Sequence, residues 1–188
     1  DATGPAAPAV AIGHSQGVLG VALLRALTGA DAVDDERVVE VHAIARLIGA
    51  AAARTTRRLD LGTVGESTPM LSVRGVTRRE LDAVLARVPG AQSLSVGVTN
   101  GRQAHILSGR PAALEAVVAA LEVAARRSAD DRKERRRGGA VLSPVTEFLA
   151  TSVPFHTPLL APAVEDVVAW AERAGLDAGL ARDLAVAV

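Results

Sequence analysis

One stretch near the start of the sequence limits the fold more than any other. The apolar run Ala9-Val10-Ala11-Ile12 leads into Gly13-His14-Ser15-Gln16-Gly17. A helical pattern then opens at once, with Val18, Val21, Leu24 and Leu27 apolar at helical spacing. Strand, sharp turn, helix around Gly-x-Ser-x-Gly is the grammar of a nucleophile elbow, in which a serine on a strained turn presents its Oγ above a sheet. The flanking glycines are expected to be required, because a side chain at either would collide with the adjacent strand or helix. The helix behind Ser15 brings free N–H groups and a positive dipole end to the same point, which favours an oxyanion there.

Downstream, Thr28-Gly29-Ala30-Asp31 breaks the first helix, and a second is expected from about 34 to 53, with Asp34, Asp35 and Glu36 in its first turn. Residues 59–68 read as a Gly-rich connection. From Pro69 the pattern changes. A strand over 70–73 precedes Thr77-Arg78-Arg79-Glu80, a capping-box signature opening a helix to about Val88 with Leu81, Val84 and Leu85 inward. Strands over 93–98 and 104–107 flank the turn signal Asn100-Gly101. A helix from Pro111 to about Arg127 and a strand over 147–153 complete the order strand-helix-strand-strand-helix-strand of a split βαβ, ferredoxin-like unit. Helices follow from about 163 to 174 and from about Leu180. The reading is an α/β protein: a partial α/β-hydrolase-like core with a parallel sheet, made of residues 1–66 and 154–188, and an inserted ferredoxin-like subdomain over 67–153. The basic run 126–139, with Arg126, Arg127, Arg132, Lys133, Arg135, Arg136 and Arg137, reads as a solvated loop. An anion-binding patch for an acidic carrier protein or a coenzyme A phosphate is the other reading of it.

Composition excludes several classes of function. The chain has 188 residues, 49% hydrophobic and 22% charged, and 21 basic residues balance 21 acidic ones. No global pull toward nucleic acid or an anionic membrane follows from that balance. Cysteine is absent, which removes disulfides, thiolate metal sites and a cysteine nucleophile together, and is compatible with a reducing cytoplasm. No apolar run reaches the roughly 18 residues needed to span a bilayer.

A serine hydroxyl is barely ionised near neutral pH and needs a base within hydrogen-bond reach. Of the four histidines, His14 adjoins the serine but is expected to point away from it, which suits packing or support. His42 in the second helix and His105 in a strand read as structural. His156 lies in Ser152-Val153-Pro154-Phe155-His156-Thr157-Pro158-Leu159-Leu160, a strand end stiffened by prolines just before a helix, and is the expected base.

Gly-His-Ser-Gln-Gly and Ser-Val-Pro-Phe-His-Thr-Pro-Leu-Leu-Ala-Pro together resemble the two signature stretches of the malonyl/acetyl transferase superfamily. The likeness is strongest to the acetyl transferase domain of type I fatty acid synthases of fungal and actinobacterial type. Pro69-Met70-Leu71-Ser72-Val73, Val98-Thr99-Asn100-Gly101 and Leu107-Ser108-Gly109 resemble that family's ferredoxin-like insert. The resemblance implies ping-pong acyl transfer in fatty acid synthesis. Ser15 would be the nucleophile, His156 the base and the backbone N–H of Gln16 one oxyanion donor. Acetyl-CoA would be a substrate rather than a bound cofactor, no metal would be needed, and the acceptor would be the phosphopantetheine thiol of an acyl carrier protein. The expected setting is a cytoplasmic, homo-oligomeric multienzyme whose other synthase domains are partners, with no nucleic acid and no membrane. The family's second oxyanion donor and the carbonyls that orient its histidine lie in stretches not found among these residues. A piece of a larger enzyme, not competent alone, is therefore expected.

Malonyl-specific members carry an arginine in an Arg-Gly dipeptide of the second helix, which grips the substrate carboxylate with both arms of its fork. The matching dipeptide here is Ile48-Gly49, which points to an uncharged acetyl starter group; a two-residue shift would place Arg46 there instead. Asn100 matches a residue near the family's acyl pocket, although a type I′ turn residue that tolerates positive φ explains it equally well. His14 and Phe155 are further pocket candidates, and Trp170 reads as core packing. Two alternatives stand beside acetyl transfer. One is the malonyl/palmitoyl transferase of the same synthases. The other is an α/β-hydrolase-type esterase or thioesterase, for which Asp60 and Glu66 are candidate acids by order. A non-catalytic module is a third, from another class.

Overall fold

A computed structural model describes residues 12–27, 35–135 and 141–187. The fold is mixed α/β with a small antiparallel sheet. Packing divides the chain into two compact units, one drawn from the described residues up to Ala52 and from Pro162 onward, the other from Ala53 to Ala161.

The described part of the first unit is helical: α1 (Gly17–Leu27), α2 (Asp35–Arg58, whose last residues enter the second unit), α5 (Ala161–Arg173) and α6 (Ala178–Ala187). Val41, Ile44, Ile48 and Ala51 recur every three or four residues along α2, so they share one face. They bury it against Ala163, Val167 and Ala171 of α5 and Ala181 and Leu184 of α6. Val18, Leu19, Ala22 and Leu23 of α1 and Trp170 of α5 pack around that cluster. Asp177 opens α6: its Oδ1 accepts the Leu180 N–H at 2.9 Å, its own N–H donates to Glu40 Oε1 at 2.6 Å, and Arg37 Nη1 donates to Oδ2 at 3.4 Å. The Leu180 N–H, with Arg37 adding to it, holds the Asp177 carboxyl below its ordinary pKa. The strand expected at 9–12 falls outside the described residues except for Ile12, which is irregular and exposed.

The second unit runs β1 (Met70–Arg74), α3 (Arg78–Leu85), β2 (Ser95–Thr99), β3 (Ala104–Ser108), α4 (Pro111–Arg135), β4 (Val145–Phe148), which is the expected order of elements. Its four strands lie side by side as β2-β3-β1-β4, every pair antiparallel, with Leu71 opposite Leu107 on one side and Phe148 on the other. Leu71, Val73 and Leu107 of the sheet meet Leu81 and Val84 of α3 and Leu114, Val117 and Leu121 of α4. The capping box forms: the Thr77 N–H donates to Glu80 Oε2 at 2.8 Å and the Glu80 N–H donates to Thr77 Oγ1 at 3.3 Å. The Thr77 hydroxyl and N–H together keep the Glu80 carboxyl below the usual carboxylate range.

Three element ends differ most from expectation. Helix α2 continues to Arg58 and stops in a Schellman turn, with Leu61 N–H bonding to the Thr56 carbonyl at 3.0 Å, Asp60 N–H to Arg57 at 3.2 Å, and Asp60 at φ +51. Helix α4 runs to Arg135, so residues 126–135 of the basic run are helical rather than a loop; 136–139 lie outside the described residues. Basic residues are interspersed with acidic ones there, no glycine or proline stops the helix, and Arg, Ala, Lys and Glu are strong helix formers that carry it on. Strand β4 covers 145–148 instead of 147–153. Leu149 N–H still reaches the Met70 carbonyl, but Thr151 N–H folds back onto the Leu149 carbonyl at 2.7 Å and ends the ladder. Among the described residues no helix is long and apolar enough to cross a membrane.

Candidate active site

Ser15 sits in a turn at φ +53, a backbone region that non-glycine residues rarely occupy. Helix α1 starts two residues later. The Gly17 N–H bonds to the His14 carbonyl at 2.9 Å and the Val18 N–H to the Ser15 carbonyl at 2.9 Å, so the turn is welded to the helix it opens. The Gln16 N–H precedes these first ladder donors, at the end of the helix where N–H groups lack intrahelical partners. A Cβ at Gly13 would lie 2.3 Å from the Gly17 carbonyl oxygen and 2.7 Å from the Val18 nitrogen. Only glycine fits there. The other flanking glycine differs from expectation: a Cβ at Gly17 meets nothing within 4 Å among the described residues. Ser15 is partly buried, whereas His14 and Gln16 are exposed.

His156 lies in the second unit and is also left-handed, at φ +58. The chain on either side is held. Val153 and Pro154 are buried, and the Phe155 N–H donates to the Val153 carbonyl at 3.0 Å. Thr157 is buried, contacts Ser95 of β2 through the two hydroxyls at 3.2 Å, and caps a short 3₁₀ turn over Pro158–Leu160 through the Leu159 N–H at 3.4 Å. Phe155 and His156 are both partly buried.

The remaining residues singled out from sequence occupy various places. Ile48 is 7% exposed within the helical core of the first unit, while Arg46 is exposed. His42 is exposed, with Nδ1 against the Val38 carbonyl at 2.9 Å. His105 is 1% exposed; its Nε2 lies 3.1 Å from the Val76 carbonyl and therefore donates, leaving Nδ1 to accept from the Thr99 hydroxyl at 3.3 Å. Asp60 ends α2, its carbonyl accepting from Arg110 at 3.1 Å, and Glu66 is exposed in the connection. Asn100 is exposed, and its N–H donates to the Ala104 carbonyl at 2.8 Å. The turn-residue explanation of Asn100 needs correction. The hairpin loop is the four residues between Thr99 and Ala104, and the positive φ belongs to Gly101, at 140°, not to Asn100.

Sequence reasoning missed Gly97. A Cβ built on it would lie 2.6 Å from the His156 Cβ and 2.7 Å from the His156 carbonyl oxygen. A glycine within an alternating strand is a standing signal of close backbone approach, and Gly97 carried it.

The family model described as the fatty acid synthase central AT domain matches residues 69–148. The chain is 35% identical over 106 residues to the fatty acid synthase beta subunit aflB of Emericella nidulans, covering 54% of this chain and 5% of that protein. It is 27% identical over 168 residues to the fatty acid synthase subunit beta of Schizosaccharomyces pombe, covering 81% of this chain and 8% of that one. Residues 69–148 thus resemble the central AT domain of fatty acid synthases, and the chain is similar to the beta subunits of fungal fatty acid synthases. The fold is similar to that of the malonyl-CoA:acyl carrier protein transacylase of Xanthomonas oryzae pv. oryzae, at TM-score 0.57 and 22% identity over 88% of this chain and 42% of that one. The chain thus spans less than half of each of these three relatives.

Proposed function

We propose that this chain carries the nucleophile and the base of an acyltransferase that loads an acetyl starter group onto an acyl carrier protein in fatty acid synthesis. The observation that carries the reading is a shared one. Ser15 and His156 are two of only three described non-glycine residues with positive φ, and the third, Asp60, is accounted for as a helix stop. Strain of this kind, of order 1–3 kcal/mol per residue, persists where the surroundings over-determine it and clusters at active sites.

In the proposed reaction the Ser15 Oγ attacks the thioester carbonyl while His156 takes its proton. The Gln16 N–H stabilises the resulting oxyanion. Collapse expels coenzyme A, whose sulfur takes the proton back from His156, and leaves an acyl-serine. The carrier's phosphopantetheine thiol then gives its proton to His156 and attacks the ester, and the Ser15 oxygen leaves with that proton.

Acetyl over malonyl is favoured by α2. Ile48 is buried and Arg46 exposed, and two residues on a helix are about 200° apart, so the two cannot fill the same position. A malonate carboxylate buried against an apolar side chain would cost several kcal/mol. Phe155, His14 and Asn100 are proposed to border the acyl group. The reading extends to a ferredoxin-like subdomain over 67–153 inserted in an α/β-hydrolase-like core, to partner domains in a cytoplasmic homo-oligomeric multienzyme, and to acyl-CoA and carrier protein as substrates. The test is to expose the polypeptide that carries these residues to labelled acetyl-CoA and malonyl-CoA. Acetyl on Ser15, formed in preference to malonyl, is expected. Preferential malonyl labelling would refute the acetyl assignment and leave acyl transfer standing.

A further inference from the structure

We propose that Gly97 is a positioning residue that fixes the backbone carrying the His156 imidazole. The inference rests on the reading of His156 as the base. Strand β2 slips register against β3 at this point: Val96 is opposite Leu107 and Val98 opposite Ile106, so Gly97 is the extra residue between them. Such bulges re-aim the chain next to active sites. The missing side chain leaves room that the His156 main chain fills. A Cβ at position 97 would stand 2.6 Å from the His156 Cβ, 2.7 Å from its carbonyl oxygen and 3.4 Å from its carbonyl carbon. The obstruction is mainly backbone and the Cβ that launches the ring, so a rotamer change cannot relieve it.

His156 has little freedom to retreat. On one side the chain is buried at Val153 and Pro154. On the other, Thr157 is buried, with its hydroxyl against Ser95, the residue two before Gly97 on the same strand. One strand therefore meets both His156 and Thr157, by contact at 97 and by hydrogen bond at 95. Any side chain at 97 has to displace the His156 backbone by something approaching an ångström, and a shift of about 1 Å in a reacting group costs on the order of 100-fold in rate.

The test is a double-mutant cycle on acylation of Ser15, measured before steady state in the polypeptide that carries this chain. Gly97→Ala is expected to slow acylation about 100-fold with the KM for acyl-CoA nearly unchanged, and His156→Ala to slow it about 1000-fold. The double variant is expected to match His156→Ala alone, because Gly97 acts through the imidazole. A Gly97→Ala loss that repeats undiminished in the His156→Ala background would overturn the proposal, as would a wild-type rate in Gly97→Ala. Wild-type acylation in His156→Ala would instead remove the base assignment itself, a different failure. Should Gly97→Ala fail to fold, Ser95→Ala carries the same cycle: a several-fold loss that vanishes without His156 is expected, and an equal loss in both backgrounds contradicts the proposal.

Discussion

The elbow at Ser15 and the bend at His156 reach the same backbone conformation by different means. At Ser15 the described constraint is local: Gly13, two residues earlier, meets the carbonyl of Gly17, two residues later, where the helix begins. At His156 the close approach comes from Gly97, far upstream in sequence, at a bulge in a strand. A constraint that closes within five residues is written as a motif. One that closes across a sheet is written as a single unremarked glycine. The comparison also separates the two ways such a site can fail, by a change in the turn itself or by a change in a neighbouring strand.

Substitutions can break or sharpen that contrast. The largest effect is expected from Gly13→Ala, whose new Cβ would press on main-chain atoms that cannot move without unwinding α1. Labelling of Ser15 by a serine-directed fluorophosphonate should fall by about 100-fold or more. Gly17→Ala, at the other glycine of the same pentapeptide, meets no described atom and replaces a poor helix former at the start of α1. It should leave labelling within about twofold and raise stability by up to about 1 kcal/mol. Equal losses in the two variants would show that the elbow is not held by the Gly13 approach. The smallest effect is expected from Asp60→Gly. This left-handed residue stops α2, and the Asp60 carbonyl that accepts from Arg110 is kept in glycine, so glycine should stabilise the fold by about 0.5 kcal/mol in denaturant unfolding and leave acylation unchanged. A loss of acylation there would mean that left-handed strain does not distinguish helix stops from working residues.

How far the fold was legible follows the same division between local and distant causes. The Thr77–Glu80 capping box and the order of elements in the second unit were both readable, because each depends on residues a few positions apart. The end of α4 was misread because a dense charge run looks like a loop, although Glu122 and Arg126, one turn apart, form a helix pair at 4.0 Å. Strand β4 was displaced because the backbone turn at Thr151, not side-chain alternation, ends it. Asn100-Gly101 correctly marked a hairpin but not its length, since the positive φ falls on the glycine alone. In the candidate site the serine turn announced itself. The role of Gly97 did not, because a strand's register depends on the partner it pairs with.

The proposed partnership of Ser15 and His156 is tested most directly by mass spectrometry of the Ser15 peptide after brief exposure to acetyl-CoA, in the wild-type polypeptide and in His156→Ala. An acetyl adduct on Ser15 that forms about 1000-fold more slowly without the imidazole is the predicted result. An adduct that forms equally fast in both proteins, or that is carried by another residue, would contradict it.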